Sequence, residues 1–191
     1  MRDWHAFAPS AVLWLAWLAY WVVAARNVKA TSRREGLATF LLHRAFVVVG
    51  VLLLVVGPQR FHWLNERFVP PTMVAYWLGL FAVAAGLAFA VWARVYLGRN
   101  WSATVTIKQD HELVHTGPYG VVRHPIYTGI LLALLGTAIA IGEWRGLLAL
   151  ASITIGFLFK IRTEERFMDE IFGERYARYR AEVPALIPFI V

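Results

Sequence analysis

Apolar residues run through this chain in long blocks, and polar residues fall almost wholly between them. Five blocks stand out, at about 9–25, 37–57, 72–97, 126–142 and 146–160. Runs of this length with so few charges predict helices that cross a bilayer, because a helix satisfies its own backbone polar groups in hydrocarbon. The fifth block is short. At 1.5 Å per residue it covers about 22 Å of a core of roughly 30 Å, so it must lean on neighbours or lengthen into the polar segment after it. Blocks four and five are separated only by Glu143, Trp144 and Arg145, which predicts a tight helical hairpin. Residues 163–181 predict an amphipathic helix in the interface, with Phe167, Ile171, Phe172, Tyr176 and Tyr179 at helical spacings between Arg and Glu. The apolar tail VPALIPFIV is expected to dock back onto the bundle. The fold class is thus all-α integral membrane: five transmembrane helices with a C-terminal helical hairpin and an interfacial amphipathic helix. Residues 1–97 supply three spans, and 98–191 form the region able to carry chemistry.

Two details refine this layout. Ala82, Gly86 and Ala90 recur every four residues on the third span, which permits close contact with another helix. His43 and Arg44 lie less than two turns into the second span, where a long basic side chain can snorkel to the headgroups.

Composition agrees with the pattern. Of 191 residues, 59% are hydrophobic and only 16% charged, against roughly a quarter charged in a soluble domain. The length leaves no room for a separate soluble catalytic domain, so chemistry must come from loops and helix ends at the bilayer surface. There is no cysteine, which excludes disulfides and thiolate nucleophiles. The net charge of +7 is read as attraction to anionic lipid, with the bilayer as partner and no role for nucleic acid. The N-terminal run lacks a small-residue cleavage signature and is read as a first span, not a removable signal.

Charge placement sets an expected orientation. Arg26, Lys29, Arg33 and Arg34 follow the first span; Arg99, Lys108 and Arg123 follow the third; Lys160, Arg162 and Arg166 follow the fifth. The gap after span two holds only Arg60 and Arg67. The positive-inside rule then places the N-terminus outside and the C-terminus in the cytoplasm, in the cell (inner) membrane. Both long polar segments would face the cytoplasm, where soluble cofactors are available.

Two polar clusters emerge. The segment TGPYGVVRHPIYTG at 116–129 gathers Arg123, His124 and Tyr127 at the mouth of span four. Pro125 suits the first turn of that helix, whose N-terminus would offer N–H groups and partial positive charge to an anion. Lys160, Arg162, Glu164 and Glu165 form the second cluster at the end of span five. A hairpin with a three-residue turn forces the start of span four and the end of span five to one membrane face. Two such clusters converging under an amphipathic roof favour a site over simple headgroup anchoring.

These residues also carry a resemblance. HELV at 111–114, GPY at 117–119, RHPIY at 123–127 and the run from Glu164-Glu165 through Phe172-Gly173, Tyr176 and Tyr179 to VPALIP resemble the isoprenylcysteine carboxyl methyltransferase family, over roughly 98–190. The resemblance implies a cytoplasm-facing pocket for S-adenosylmethionine (AdoMet). His111, Glu112, Leu113 and Val114, then Tyr119, then His124, Pro125, Ile126 and Tyr127, and finally Glu164 match positions that hold the cofactor. The family associates an arginine four residues before that acid with the substrate. Here that position is Lys160, with Arg162 two residues on, and lysine lacks the planar two-point contact of a guanidinium. Lys160, Arg162 and Arg123 are the candidate holders of the acceptor, and Lys160, Arg162 and Glu164 stand nearest the reaction.

The implied chemistry is methyl transfer to a lipophilic acceptor, with a carboxylate such as a prenylcysteine C-terminus as first choice. A sulfonium donor and a carboxylate acceptor neutralise each other on reacting, so a water-poor pocket disfavours the separated charges relative to the transition state. A carboxylate needs in-line positioning and no general base. N-methylation of a phospholipid or other lipid amine is the nearest alternative, and there His124 or Glu164 would have to take the amine proton. His111-Glu112-Leu113-Val114-His115 also spells the H-E-x-x-H zinc-protease pattern. That pattern needs a continuous helix, whereas Gly117-Pro118 follows within two residues and Thr104 to Ile107 reads as extended, so no metal is expected. A non-catalytic membrane protein keeping the fold is the remaining alternative. Asn100-Trp101-Ser102 spells a glycosylation sequon on the side expected to be cytoplasmic.

Overall fold

The computed structural model describes residues 4–26, 31–56, 61–98, 101, 106–108 and 113–188. Six helices carry the chain: α1 (Trp4–Ala24), α2 (Leu37–Val55), α3 (Met73–Leu97), α4 (Pro125–Ile141), α5 (Trp144–Phe172) and α6 (Glu174–Glu182). Three of them, α2, α3 and α5, are long and apolar enough to cross a membrane. The apolar part of α1, Pro9–Ala24, and α4 are shorter apolar helices.

Two antiparallel helix pairs organise the bundle. α3 packs on α4 through small residues, because Gly79 and Gly86 face Gly136 and Gly129. A Cβ added at Gly129 would lie 2.5 Å from the Gly86 carbonyl, and one at Gly136 would lie 2.5 Å from that of Gly79. The backbones are therefore as close as side chains ever allow. The spacing of Ala82, Gly86 and Ala90 marks this seam: Gly86 and Ala90 are buried in it, and the Ala82 methyl lies 2.9 Å from a Cβ built at Gly136. α2 packs on α5 likewise, with Gly50 against Ala149 and Ile153, Gly156 against the His43 carbonyl, and the Ser152 hydroxyl donating to Phe46 O at 2.8 Å. α1 lies across the first pair. Leu13, Trp14 and Trp17 pack on Val83, Leu87 and Ala133, and Trp14 Nε1 donates to Thr137 Oγ1 at 3.1 Å.

The turn from α4 to α5 consists of Gly142 and Glu143. Gly142 ends α4 in the left-handed region (φ +68°), and a Cβ there would lie 2.6 Å from an Arg67 guanidinium nitrogen. Only glycine fits both constraints. Phe68 N donates to Gly142 O and Trp144 N to Glu66 O, so the 61–72 loop braces this turn.

Three expectations change. Of the two ways left open for the short fifth span, α5 takes the lengthening: it runs 29 residues from Trp144 to Phe172, so no separate interfacial helix begins at 163. The break falls at Gly173 (φ +49°), after which α6 turns back. Phe167, Tyr176 and Tyr179 are buried, so the polar extension is held by packing its apolar face and needs no lipid to do so. Secondly, Thr31–Arg34 and Thr106–Lys108 pair as a two-stranded antiparallel sheet, a small β element that the all-α reading lacked. Thirdly, His43 does not reach outward. It is buried, with Nε2 at 3.2 and 3.3 Å from the two Glu35 carboxylate oxygens, and Arg44 alone is exposed, over the Phe40 ring. A buried imidazole with a carboxylate partner avoids the cost that made snorkelling the expectation.

Candidate active site

α4 begins where the bundle meets its polar end. Residues Gly117–Gly120 form a 3-10 turn that drops Pro118 and Tyr119 into the interior. Gly117 has φ +58°, and the Tyr96 ring occupies the place of its missing Cβ at 2.6 Å. Tyr119 joins Ala93, Trp101 and Ile126 in a buried cluster, with Val114, Tyr127 and Trp21 packed against it. Its hydroxyl makes one long bond, 3.5 Å, to Ala93 O, and its carbonyl accepts from Tyr179 Oη at 2.6 Å. Burial, then the nearby Glu164 charge, holds the Tyr119 phenol well above its ordinary range, so it stays protonated.

The charged centre lies between the start of α4 and the polar part of α5. Tyr127 Oη donates to Glu164 Oε1 at 2.6 Å. His124 lies between two carboxylates, with Nδ1 at 3.5 Å from Glu164 Oε2 and Nε2 at 3.2 Å from Glu165 Oε1. A neutral imidazole has one N–H, whereas here both ring nitrogens face oxygens that only accept. This arrangement favours the imidazolium form of His124. Burial opposes the charge, but the bonds to Glu164 and Glu165 outweigh it and raise the His124 pKa above its ordinary value. The ring also stacks on Tyr127, with centroids 5.7 Å apart. Lys160, one turn before Glu164 on the same face of α5, holds its Nζ 5.5 Å from the centre of the Tyr127 ring.

The sequence-derived residues divide clearly. Tyr119, His124, Ile126, Tyr127, Lys160 and Glu164 come together, with Pro125 fully buried beneath them. Val114 packs on the Tyr119 cluster, while Leu113 packs on a separate one formed by Tyr176, Tyr179 and Val183. His111, Glu112, Lys29 and Asn100 lie outside the described residues. Residues 113–115 are non-helical, so the described part of the H-E-x-x-H spelling lacks the helix that pattern needs. Arg162 is exposed, its two-residue offset from Lys160 and Glu164 putting it on another face of α5. Arg123 is turned toward Glu165, with Nε to Oε1 at 2.9 Å. The amides of Arg123 and His124 donate to Pro184 O and Ala185 O at 2.8 and 3.0 Å, so the tail takes two donors at this helix start that had been expected to face an anion. Glu165 is the residue that sequence reasoning underweighted. Its adjacency to Glu164 was visible, but adjacent helical residues diverge by about 100°, and only the fold shows that both meet His124.

Comparison with known proteins places this geometry. Residues 74–175, just over half of the chain, match the family model described as phospholipid methyltransferase. The chain is 38% identical over 101 residues to the protein-S-isoprenylcysteine O-methyltransferase of Schizosaccharomyces pombe, covering 51% of this chain and 43% of that protein. It is 30% identical over 178 residues to the Homo sapiens protein of the same name, covering 90% of this chain and 60% of that one. Among solved structures it resembles the eukaryotic intramembrane Ras methyltransferase, isoprenylcysteine carboxyl methyltransferase, with a TM-score of 0.51 and 25% identity, over 82% of this chain and 54% of that chain. The matched region thus spans about half the length of these relatives. The family model reaches from the start of α3 to α6 and takes in all the charged residues of the centre, and the chain belongs to this family of membrane methyltransferases, the isoprenylcysteine carboxyl methyltransferases among them.

Proposed function

We propose that this protein transfers a methyl group from AdoMet to a lipophilic acceptor at a carboxylate, such as a prenylcysteine C-terminus. The observation that carries the reading is the double engagement of His124 by Glu164 and Glu165 beside Tyr127 and Lys160. An amine acceptor would need a base. Both His124 nitrogens face carboxylates, which favours its protonated form, and the Glu164 oxygens already accept from Tyr127 and face His124.

The donor set also fits AdoMet. A carboxylate held ionised by a phenol and an imidazolium, among Tyr119, Tyr127 and Trp101, matches a ligand carrying a sulfonium and an ammonium. Glu164 would hold it, with Tyr119, Ile126, Tyr127 and Val114 as walls. When bound, AdoMet supplies an electrophilic methyl group. The protein's part is to fix Glu164 through Tyr127 and His124, to present Lys160 to the acceptor carboxylate, and to exclude water with the buried aromatic cluster. Methyl transfer to a carboxylate neutralises both partners, so this dry setting favours the transition state.

The bundle is read as five spans, α1 to α5, with the N-terminus outside and the site at the cytoplasmic face of the cell membrane. The basic loops and the short apolar helices α1 and α4 support that reading. Incubation with methyl-labelled AdoMet and a farnesylcysteine analogue tests it. The product should release volatile labelled methanol under alkali, in vesicles with the cytoplasmic face outward and not in the opposite orientation. Label that survives alkali on a lipid amine would establish N-methylation instead, and labelling from the other face would reverse the topology.

A further inference from the structure

The Nε and Nη1 donors of Arg123 are engaged, and none of their partners is a substrate position. Nε donates to Glu165 Oε1, and Nη1 donates to Arg180 O at 3.0 Å and to Val183 O. Those carbonyls belong to the last turn and C-terminal cap of α6, where helix carbonyls lack internal partners and a cation is favoured. The tail continues the contact: Pro184 O and Ala185 O accept from the amides of Arg123 and His124, and Leu186 O accepts from Thr128 Oγ1 at 2.7 Å. Glu165 closes the circuit, since the oxygen that receives Arg123 Nε also faces His124 Nε2. The other His124 nitrogen faces Glu164.

We infer that Arg123 is a positioning residue that couples the docked C-terminal strap, Arg180 to Leu186, to the cofactor carboxylate Glu164 through Glu165 and His124. The strap is a component of the cofactor site although none of its side chains enters it. Without the strap to anchor Arg123, or without Arg123 itself, Glu165 is no longer held in place beside His124, and His124 loses the second carboxylate that keeps it aligned on Glu164. This inference rests on Glu164 being the donor-binding carboxylate, and it moves Arg123 from the acceptor to the scaffold.

The test is a double-mutant cycle read as AdoMet affinity in detergent or nanodiscs. Arg123→Ala and a chain ending at Glu182 should each weaken AdoMet binding about tenfold, as loss of a charge-assisted hydrogen bond does. Their combination should be no worse than either alone, because both act on one linkage. Arg123→Lys, which keeps the charge but not the fork, should hold thermal stability near wild type while restoring affinity only in part. Thr128→Val, a milder removal of one strap contact, should weaken AdoMet binding about threefold and keeps the test open if the truncated chain fails to fold. Wild-type AdoMet affinity in Arg123→Ala and Thr128→Val, or losses that multiply in the combined variant, would overturn the coupling. Glu164→Ala separates the two ideas: if it leaves AdoMet affinity unchanged, the cofactor assignment itself is wrong, whereas lost binding there with unaffected strap variants removes only the present inference.

Discussion

The two ends of α4 are held by opposite means. Its length is fixed against α3 by absence, since Gly129 and Gly136 leave no side chain between two backbones. Its start is fixed by charge, with Arg123, His124 and Tyr127 engaged by Glu164 and Glu165 on α5. Close backbone packing sets register stiffly and tolerates nothing larger. The charged end is adaptable but depends on every partner staying in reach. The comparison shows why both occur on one short helix: the glycine seam fixes the register of the helix against α3, and the polar end uses that fixed register to align a carboxylate.

The largest effect should come from breaking the seam. Gly129→Leu puts a side chain where a Cβ alone already meets the Gly86 carbonyl at 2.5 Å. Overpacking of this kind costs about 3 kcal/mol, so the melting temperature should drop sharply and AdoMet binding should fall with it. Retained stability would mean that α3 and α4 separate easily. A smaller, local loss should follow Tyr127→Phe, which removes the 2.6 Å bond to Glu164 and nothing else. A hydrogen bond to a charged group contributes about 1.5 kcal/mol or more, so AdoMet affinity should drop roughly tenfold with the melting temperature nearly unchanged. Equal loss of both would show that the charged end also carries the fold.

The smallest effect is a pH dependence. The His124 pKa is raised by Glu164 and Glu165 against the opposing effect of burial. Its stabilising contribution is therefore complete below its unfolded pKa of about 6.5 and disappears as pH rises through the higher folded value. The melting temperature of the wild type should exceed that of His124→Gln most at mildly acidic pH, and the gap should narrow as pH climbs past neutrality. A gap that is constant with pH would mean that the imidazole is neutral, and His124 would again be available as a base.

How much of this was legible depended on the distance over which each signal acts. Apolar run length located α2 and α3, because hydrocarbon crossing is a property of a single segment. The spacing of Ala82, Gly86 and Ala90 marked a contact surface but could not name α4 as its partner. Convergence of Arg123, His124 and Tyr127 with Glu164 followed from one inference, a tight turn expected at 143–145 that falls at Gly142 and Glu143. Lengthening of the fifth span was one of two options read from its short run, but its extent to Phe172 was obscured because charged residues on a helix read alike whether it lies in lipid headgroups or packs on protein. The inward turn of His43 was hidden for a similar reason, as its partner Glu35 precedes the helix by two residues. The strap was legible only as an apolar tail that should dock, without the groups it docks to. Its acceptors are all backbone carbonyls about 60 residues from their donors, and backbone groups carry no residue identity.

α5 has one further consequence. Near its first turn Arg145 reaches across to the last carbonyls of α2, Leu53 O and Leu54 O, and beyond its middle it carries Glu164 and Glu165. Twenty-nine helical residues extend about 43 Å, well past a hydrocarbon layer of about 30 Å. Arg145 and Glu164 stand 19 residues apart on it, about 29 Å along the axis, so these polar groups are separated by about one hydrocarbon thickness, and a bilayer of another thickness would have to tilt this helix or strain one of them.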